Sequence, residues 1–170
     1  DAYRLTENLD ITNWFNKAIN NNKSYAKMIA NWMITELFAH PNNFILGDDK
    51  HNLDDSIRII EPKDLYELVD LIQTNQINGK QAKDIFLKML EGEKGTVKEI
   101  AEKFDMKQIT NESEIEAIIN SVIESNPNQV EQYKSGKLGL FGYFVGSVMK
   151  ATNGKANPEL VNSILKSKLS

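Results

Sequence analysis

Helix start signals recur along almost the whole chain, and the apolar residues that follow them keep helical spacing. Pro62 suits the first position of a helix that carries Leu65, Leu68, Val69 and Ile72 on one face. Asn78 with Gln81, and Thr96 with Glu99, form capping-box patterns ahead of Ala82, Ile85, Phe86, Met89 and of Ile100 and Phe104. Asn111 with Glu114 precedes Ile115, Ile118, Ile119, Val122 and Ile123. Asn126-Pro127 opens a short helix, and Asn157-Pro158 opens the last one, with Val161, Ile164 and Leu165 on its inner face. Nearer the start, Thr6 is expected to cap a helix holding Ile11, Trp14, Phe15, Ala18 and Ile19. Ser24 is expected to open one holding Tyr25, Met28, Ile29, Trp32 and Met33. No segment alternates at period two, so the expectation is an all-α chain. Pro41 to Arg58 reads as a long loop. A Gly-, Lys- and Glu-rich junction from Glu91 to Thr110 divides an irregular helical domain, 1–107, from a small helical tail, 108–170.

Charge is distributed unevenly. The 170 residues carry a net charge of −4. Residues 126–170 hold six lysines against Glu131 and Glu159, for +4, so residues 1–125 carry −8. An acidic body with a basic tail points the tail toward a polyanion. The absence of cysteine excludes disulfides, thiolate metal sites and a Cys nucleophile, and fits a reducing cytoplasm, the expected compartment. The longest uncharged apolar stretch, Leu138 to Met149, is far short of the roughly 20 residues a membrane span needs, so no membrane partner is expected. The chain begins at Asp1 rather than Met, as a piece of a longer protein would.

A catalytic centre is not expected. His40 and His51 are the only histidines. Asp48 to Asp55 is acidic but fails as a calcium loop, because Leu53 holds the glycine position and Ile59 the bidentate Glu position, so no metal is expected. Gly154-Lys155 lacks both the Ser/Thr and the first glycine of a nucleotide phosphate loop. Gly146-Ser147 lacks the second glycine of a nucleophile elbow, and no His follows it. Gly139-Leu140-Phe141-Gly142 has a GxxG spacing but lies in an apolar helix rather than a basic loop.

The segment from Gly142 to Pro158 is the most distinctive. Glycine inside a helix costs about 1 kcal/mol relative to Ala, so something must require it. Gly142 and Gly146 share a face that Gly139 extends, opposite a stripe of Phe141, Phe144, Val145, Val148 and Met149. The expected reason is packing, a notch that admits a neighbouring helix. Lys134 and Lys137 flank the turn at Gly136, and Lys150 and Lys155 flank the next turn. With the free amides at the start of the Pro158 helix, these lysines form a candidate cradle for a phosphate backbone. Tyr133 and Tyr143 are candidates for stacking on a base, with core packing the expected role of both.

The run Phe144-Val145-Gly146-x-Val148-Met149-Lys150-Ala151-Thr152-x-Gly154-Lys155-Ala156-Asn157-Pro158 resembles the C-terminal signature of GatB, the B subunit of the tRNA-dependent amidotransferase. Asn31 to Leu37, Ile77 to Lys83, and Asn126-Pro127 leading to Tyr133-Lys134-Ser135-Gly136-Lys137 agree with it. The resemblance runs from about Leu5 to Leu169. Stand-alone YqeY-like proteins share its last part more loosely. It implies an irregular helical domain followed by a YqeY-like tail, and a parent complex that hydrolyses glutamine, consumes ATP and corrects misacylated Glu-tRNA(Gln) or Asp-tRNA(Asn). ATP and magnesium are expected in an N-terminal cradle domain absent from this chain, leaving this piece no cofactor and no catalytic residue. The implied partners are tRNA and the A and C subunits of the amidotransferase. The implied tRNA contacts are Lys134, Lys137, Lys150, Asn153 and Lys155, with Lys166 and Lys168 as secondary candidates. Asn153 stands where the family often has a basic residue, and Ser147 where Gln is common. The competing expectation is a helical interaction module that docks onto partner proteins of the complex without touching RNA.

Overall fold

The structure is a computed structural model that describes residues 8–44, 46 and 58–170. Thr6 and the acidic stretch Asp48 to Asp55, His51 included, lie outside the described residues. The described residues are helical, with no strand; a single parallel bridge pairs Ile109 with Ala156. The chain forms two compact units. One comprises residues 1–74 and 82–106, the other 75–81 and 107–170.

The first unit begins with α1 (Leu9–Ile19). Asn8 caps it by accepting from the Asp10 amide, and the chain leaves it through Asn20 at φ 45°. The expected opening at Ser24 is displaced. Asn22 first caps a 3-10 turn over Lys23–Tyr25, and α2 (Ala26–Thr35) follows directly. Ser24 is a turn residue whose amide and hydroxyl both donate to the Asn22 side chain. Pro41–Asn43, expected within a loop, forms a 3-10 turn, and it is tied to the residues just ahead of Pro62: the Ile60 amide donates to the Asn43 carbonyl at 2.8 Å and the Asn43 side-chain amide to the Arg58 carbonyl at 2.8 Å. Pro62 then opens α3 (Pro62–Gln73), with Glu61 and Asp64 closing a capping box around it. Next come α4 (Gly79–Leu90), whose first three residues group with the second unit, and α5 (Val97–Lys103), capped by the Thr96–Glu99 box. Ile29, Met33, Leu65, Val69, Phe86 and Ile100 are buried. Burying a side chain of this size contributes about 1.5–3 kcal/mol each.

The second unit holds α6 (Glu112–Glu124), α7 (Pro127–Lys134), α8 (Leu140–Ala151) and α9 (Pro158–Leu169). Phe144 and Val148 of α8 are fully buried against Ile115 and Ile119 of α6 and Val161 and Leu165 of α9. The stripe expected on α8 is therefore the core of this unit. Asn111 caps α6 by accepting from the Glu114 amide, and Asn157 caps α9 by accepting from Glu159 and Leu160.

Candidate nucleic-acid interface

Helix α8 is strongly two-sided. With Phe144 and Val148 turned into the core, the opposite side carries Gly139, Gly142, Tyr143, Gly146 and Lys150, all exposed. A Cβ added at Gly139, Gly142 or Gly146 would meet nothing within 4 Å. Among the described residues no helix fills the notch that their spacing leads one to expect. These glycines leave a strip of bare helix backbone open to the surroundings, with the Tyr143 ring beside it. Tyr143 is 44% exposed, and its hydroxyl donates to Asn126 Oδ1 at 2.7 Å, which fixes the ring. Core packing does not describe this residue. It does describe Tyr133, which is half-buried with its ring 6.4 Å from that of Phe144.

The lysines divide between the two ends of this strip. Lys134 ends α7, and Lys137 lies in the turn before α8, where Gly136 reverses the chain at φ +107°. Both are exposed, and Lys137 donates to Gln132 Oε1 at 3.1 Å. Lys150 lies in the last turn of α8, followed by Asn153 at φ 52°, Gly154 and Lys155. Lys150 and Asn153 are exposed and Lys155 is half-buried. A helix of 12 residues is about 18 Å long. These positions therefore form two basic groups about that far apart rather than one cradle. The start of α9 adds no free amides, because Asn157 already caps Glu159 and Leu160 at 2.9 and 3.0 Å.

The turn itself is built tightly. Ile109 donates to the Lys155 carbonyl at 2.7 Å, and Asn157 donates back to the Ile109 carbonyl at 2.9 Å. Thr152 is buried, its hydroxyl donating to the Val148 carbonyl at 3.0 Å. The Asn78 side chain donates to the Gly154 carbonyl at 2.7 Å. Residues 13–169, this turn included, match the GatB domain. The chain belongs to the GatB domain family. It is similar to the B subunit of the aspartyl/glutamyl-tRNA(Asn/Gln) amidotransferase of Thioalkalivibrio sulfidiphilus, 43% identical over 169 residues, and to that of Halorhodospira halophila, 41% identical over 169 residues. Each alignment covers 99% of this chain and 34% of the relative. The corresponding protein of Rickettsia rickettsii is 41% identical over 170 residues, covering 100% of this chain and 33% of the relative. The chain spans about a third of the length of these curated relatives.

The remaining candidates of this GatB domain stand apart from the strip. Lys166 is exposed on the last turn of α9, and Lys168 is half-buried and paired with Glu116 at 2.6 Å. The positive charge of Lys168 is therefore matched within the unit. In the first unit, a depression of about 430 Å³ lined by Arg58, Glu61, Asp64, Glu67, Thr96 and Glu99 offers no convergent free group. Asp64 pairs with Arg58, Glu67 accepts from the Val97 and Lys98 amides, and Glu99 accepts from the Thr96 amide. Among the described residues no three His, Asp or Glu side chains gather as a metal site, and no helix is long and apolar enough to cross a membrane. Sequence reasoning missed the tie from Asn78 to Gly154. The Asn-x-x-Gln box was visible as a cap, but a cap pattern says nothing about where the remaining amide donor goes.

Proposed function

We propose that this GatB domain is the tRNA-holding C-terminal portion of an amidotransferase B subunit, and that it positions misacylated Glu-tRNA(Gln) or Asp-tRNA(Asn) for transamidation by the assembled enzyme. The observation that carries this reading is the open glycine strip of α8 with lysines at both ends. Bare backbone lets a sugar-phosphate chain approach closely, and Lys134 and Lys137 at one end with Lys150, Asn153 and Lys155 at the other bind its phosphates. Lys166 adds charge at the edge, and Lys168 serves mainly to pair with Glu116. Tyr143, held by Asn126, offers a ring on which a base can stack. The names of the similar proteins include tRNA(Asn/Gln), which agrees with an RNA ligand. On this reading ATP and magnesium belong to the remaining two thirds of the full-length protein, the A and C subunits of the amidotransferase are its partners, and the setting is the cytoplasm.

Lys150→Ala combined with Lys155→Ala is expected to weaken binding of a tRNA transcript in a mobility-shift assay while the circular dichroism spectrum stays that of the parent. With about four phosphates engaged, the log–log salt slope is about −3 to −4, so affinity falls about 60- to 250-fold between 50 and 200 mM salt. Unchanged affinity in the double variant would sink the assignment. The competing reading, a module that docks on the A and C subunits alone, draws on the exposed Leu9 and Leu87 of the acidic first unit. Capture of those two proteins without RNA, together with no RNA binding, would favour it.

A further inference from the structure

We propose that Lys80 belongs to the same polyanion-binding surface, contacting an RNA phosphate beside the Asn153–Lys155 turn, and that Asn78 is the residue that positions that turn against it. The inference rests on the tRNA reading above and extends it to a segment far away in sequence.

The segment 75–81 is part of the second unit. Its backbone is tied there by the Gln108 amide, which donates to the Gln76 carbonyl at 2.8 Å. Asn78, buried, uses both ends of its side chain. Its oxygen accepts from the Gln81 amide at 3.0 Å, capping α4, and its nitrogen donates to the Gly154 carbonyl at 2.7 Å. The Gln81 side chain accepts in return from the Asn78 amide at 2.9 Å and donates to the Lys107 carbonyl at 3.1 Å. The first turn of α4 is thereby locked to the basic turn.

That lock brings Lys80 over Gly154. A Cβ on Gly154 would lie 3.4 Å from Lys80 Nζ and 3.6 Å from its Cδ, ordinary contact distances that place the Lys80 chain directly over the turn, while the φ of +77° is what favours glycine there. Lys80 is exposed and makes no ion pair among the described residues. Its charge is thus set beside the turn that carries Lys150 and Lys155, with no carboxylate paired to it. Like charges gathered this way repel one another in the free chain, and an arriving phosphate reverses the sign of that interaction. The packing role of the Lys80 stem does not require the ammonium, and this separates the two roles experimentally.

Lys80→Met keeps the stem and removes the charge; Lys80→Arg keeps both. With the full chain and a tRNA transcript, Lys80→Met is expected to lower affinity about 5- to 10-fold at about 0.1 M salt and to reduce the salt slope by about 0.7–0.9, while Lys80→Arg stays near the parent. Asn78→Ser retains a capping oxygen but cannot reach Gly154. It is expected to lose a similar part of the slope with the helical spectrum unchanged. If Lys80→Met matches the parent while Lys150→Ala/Lys155→Ala binds weakly, the Lys80 assignment is overturned and the tRNA reading stands. If neither binds more weakly, the tRNA reading fails and takes this inference with it. A parental slope in Asn78→Ser overturns the positioning role alone.

Discussion

The two units differ in how much of their charge is tied up in ion pairs of their own. In the first, five cations are matched by their own chain, Arg58 with Asp64, Lys83 with Glu36, Lys103 with Glu93, Lys88 with Glu91 and Lys63 with Glu61, while Lys17, Lys23, Lys27, Lys94 and Lys98 make no ion pair among the described residues. Glu67 is likewise taken up by the amides that open α5. In the second, Lys80, Lys134, Lys150 and Lys166 make no ion pair among the described residues, although α6 carries Glu112, Glu114, Glu116 and Glu124 in the same unit. The unit has acids available and leaves most of these lysines away from them. Net charge alone would rank the units only as acidic and basic. The pairing pattern adds which cations are tied to a carboxylate of the chain and which are not.

The strongest way to break this contrast is to remove one cation from each unit. The Arg58–Asp64 pair is largely buried, with side chains 14% and 8% exposed, and Arg58 also donates to the Glu93 carbonyl. Arg58→Ala strands Asp64 and unties Glu93, so it is expected to cost about 3 kcal/mol. Lys150→Ala is expected to stay within about 0.5 kcal/mol of the parent, as exposed substitutions do. Urea unfolding of both variants measures the difference. Equal costs would mean that Lys150 supports the fold and that the contrast is false.

Local features of both units were readable in advance, because a cap is written within four residues. Pro62, the Asn78–Gln81 and Thr96–Glu99 boxes, Asn111 and Asn157 all act where their spacing places them. The apolar stripe of α8 was readable for the same reason. Features that depend on a second segment were not. The spacing of Gly142 and Gly146 shows that they share a face, but not whether anything lies opposite, and nothing among the described residues does. Lys168 looked equivalent to Lys166 until α6 placed Glu116 beside it. Lys80 was hidden because the turn it covers lies at the other end of the second unit's sequence. The two lysine groups read as one cluster because sequence distance does not show that a straight helix separates them.

Those glycines give the next test, smaller in energy but sharper in meaning. Because a Cβ has free space at both positions, Gly146→Ala is expected to stabilise the chain by about 1 kcal/mol, and Gly142→Ala, in the first turn, by somewhat less. If the bare strip is there for RNA, the same methyl groups hold the sugar-phosphate chain away, and tRNA affinity falls while the urea midpoint rises. Stability and binding moving in opposite directions is the diagnostic result. A rise in stability with parental binding would remove the strip from the interface and leave only its flanking lysines. A loss of stability would show that a close helix contact exists after all.

The smallest effect tests the first unit through pH. The Thr96 amide, then its hydroxyl, holds the Glu99 carboxyl below its ordinary value of 4.5. The Lys103 ammonium does the same for Glu93. A carboxyl lowered by folding contributes stability that is complete above its unfolded pKa and is lost as pH falls through the folded one. The acid limb of the stability curve, below about pH 4.5, should therefore carry both groups. Glu93→Gln with Glu99→Gln keeps an oxygen acceptor at each site and removes the titration. Stability of this variant should then fall less steeply between neutral pH and about pH 3.5 than that of the parent. Lys150→Ala, which has no carboxylate partner among the described residues, should leave that limb as it is. If urea midpoints fall with the parental slope in the Gln variant, these two carboxylates do not carry the acid sensitivity, and the internal use of charge in the first unit rests on Arg58–Asp64 and Glu67 instead.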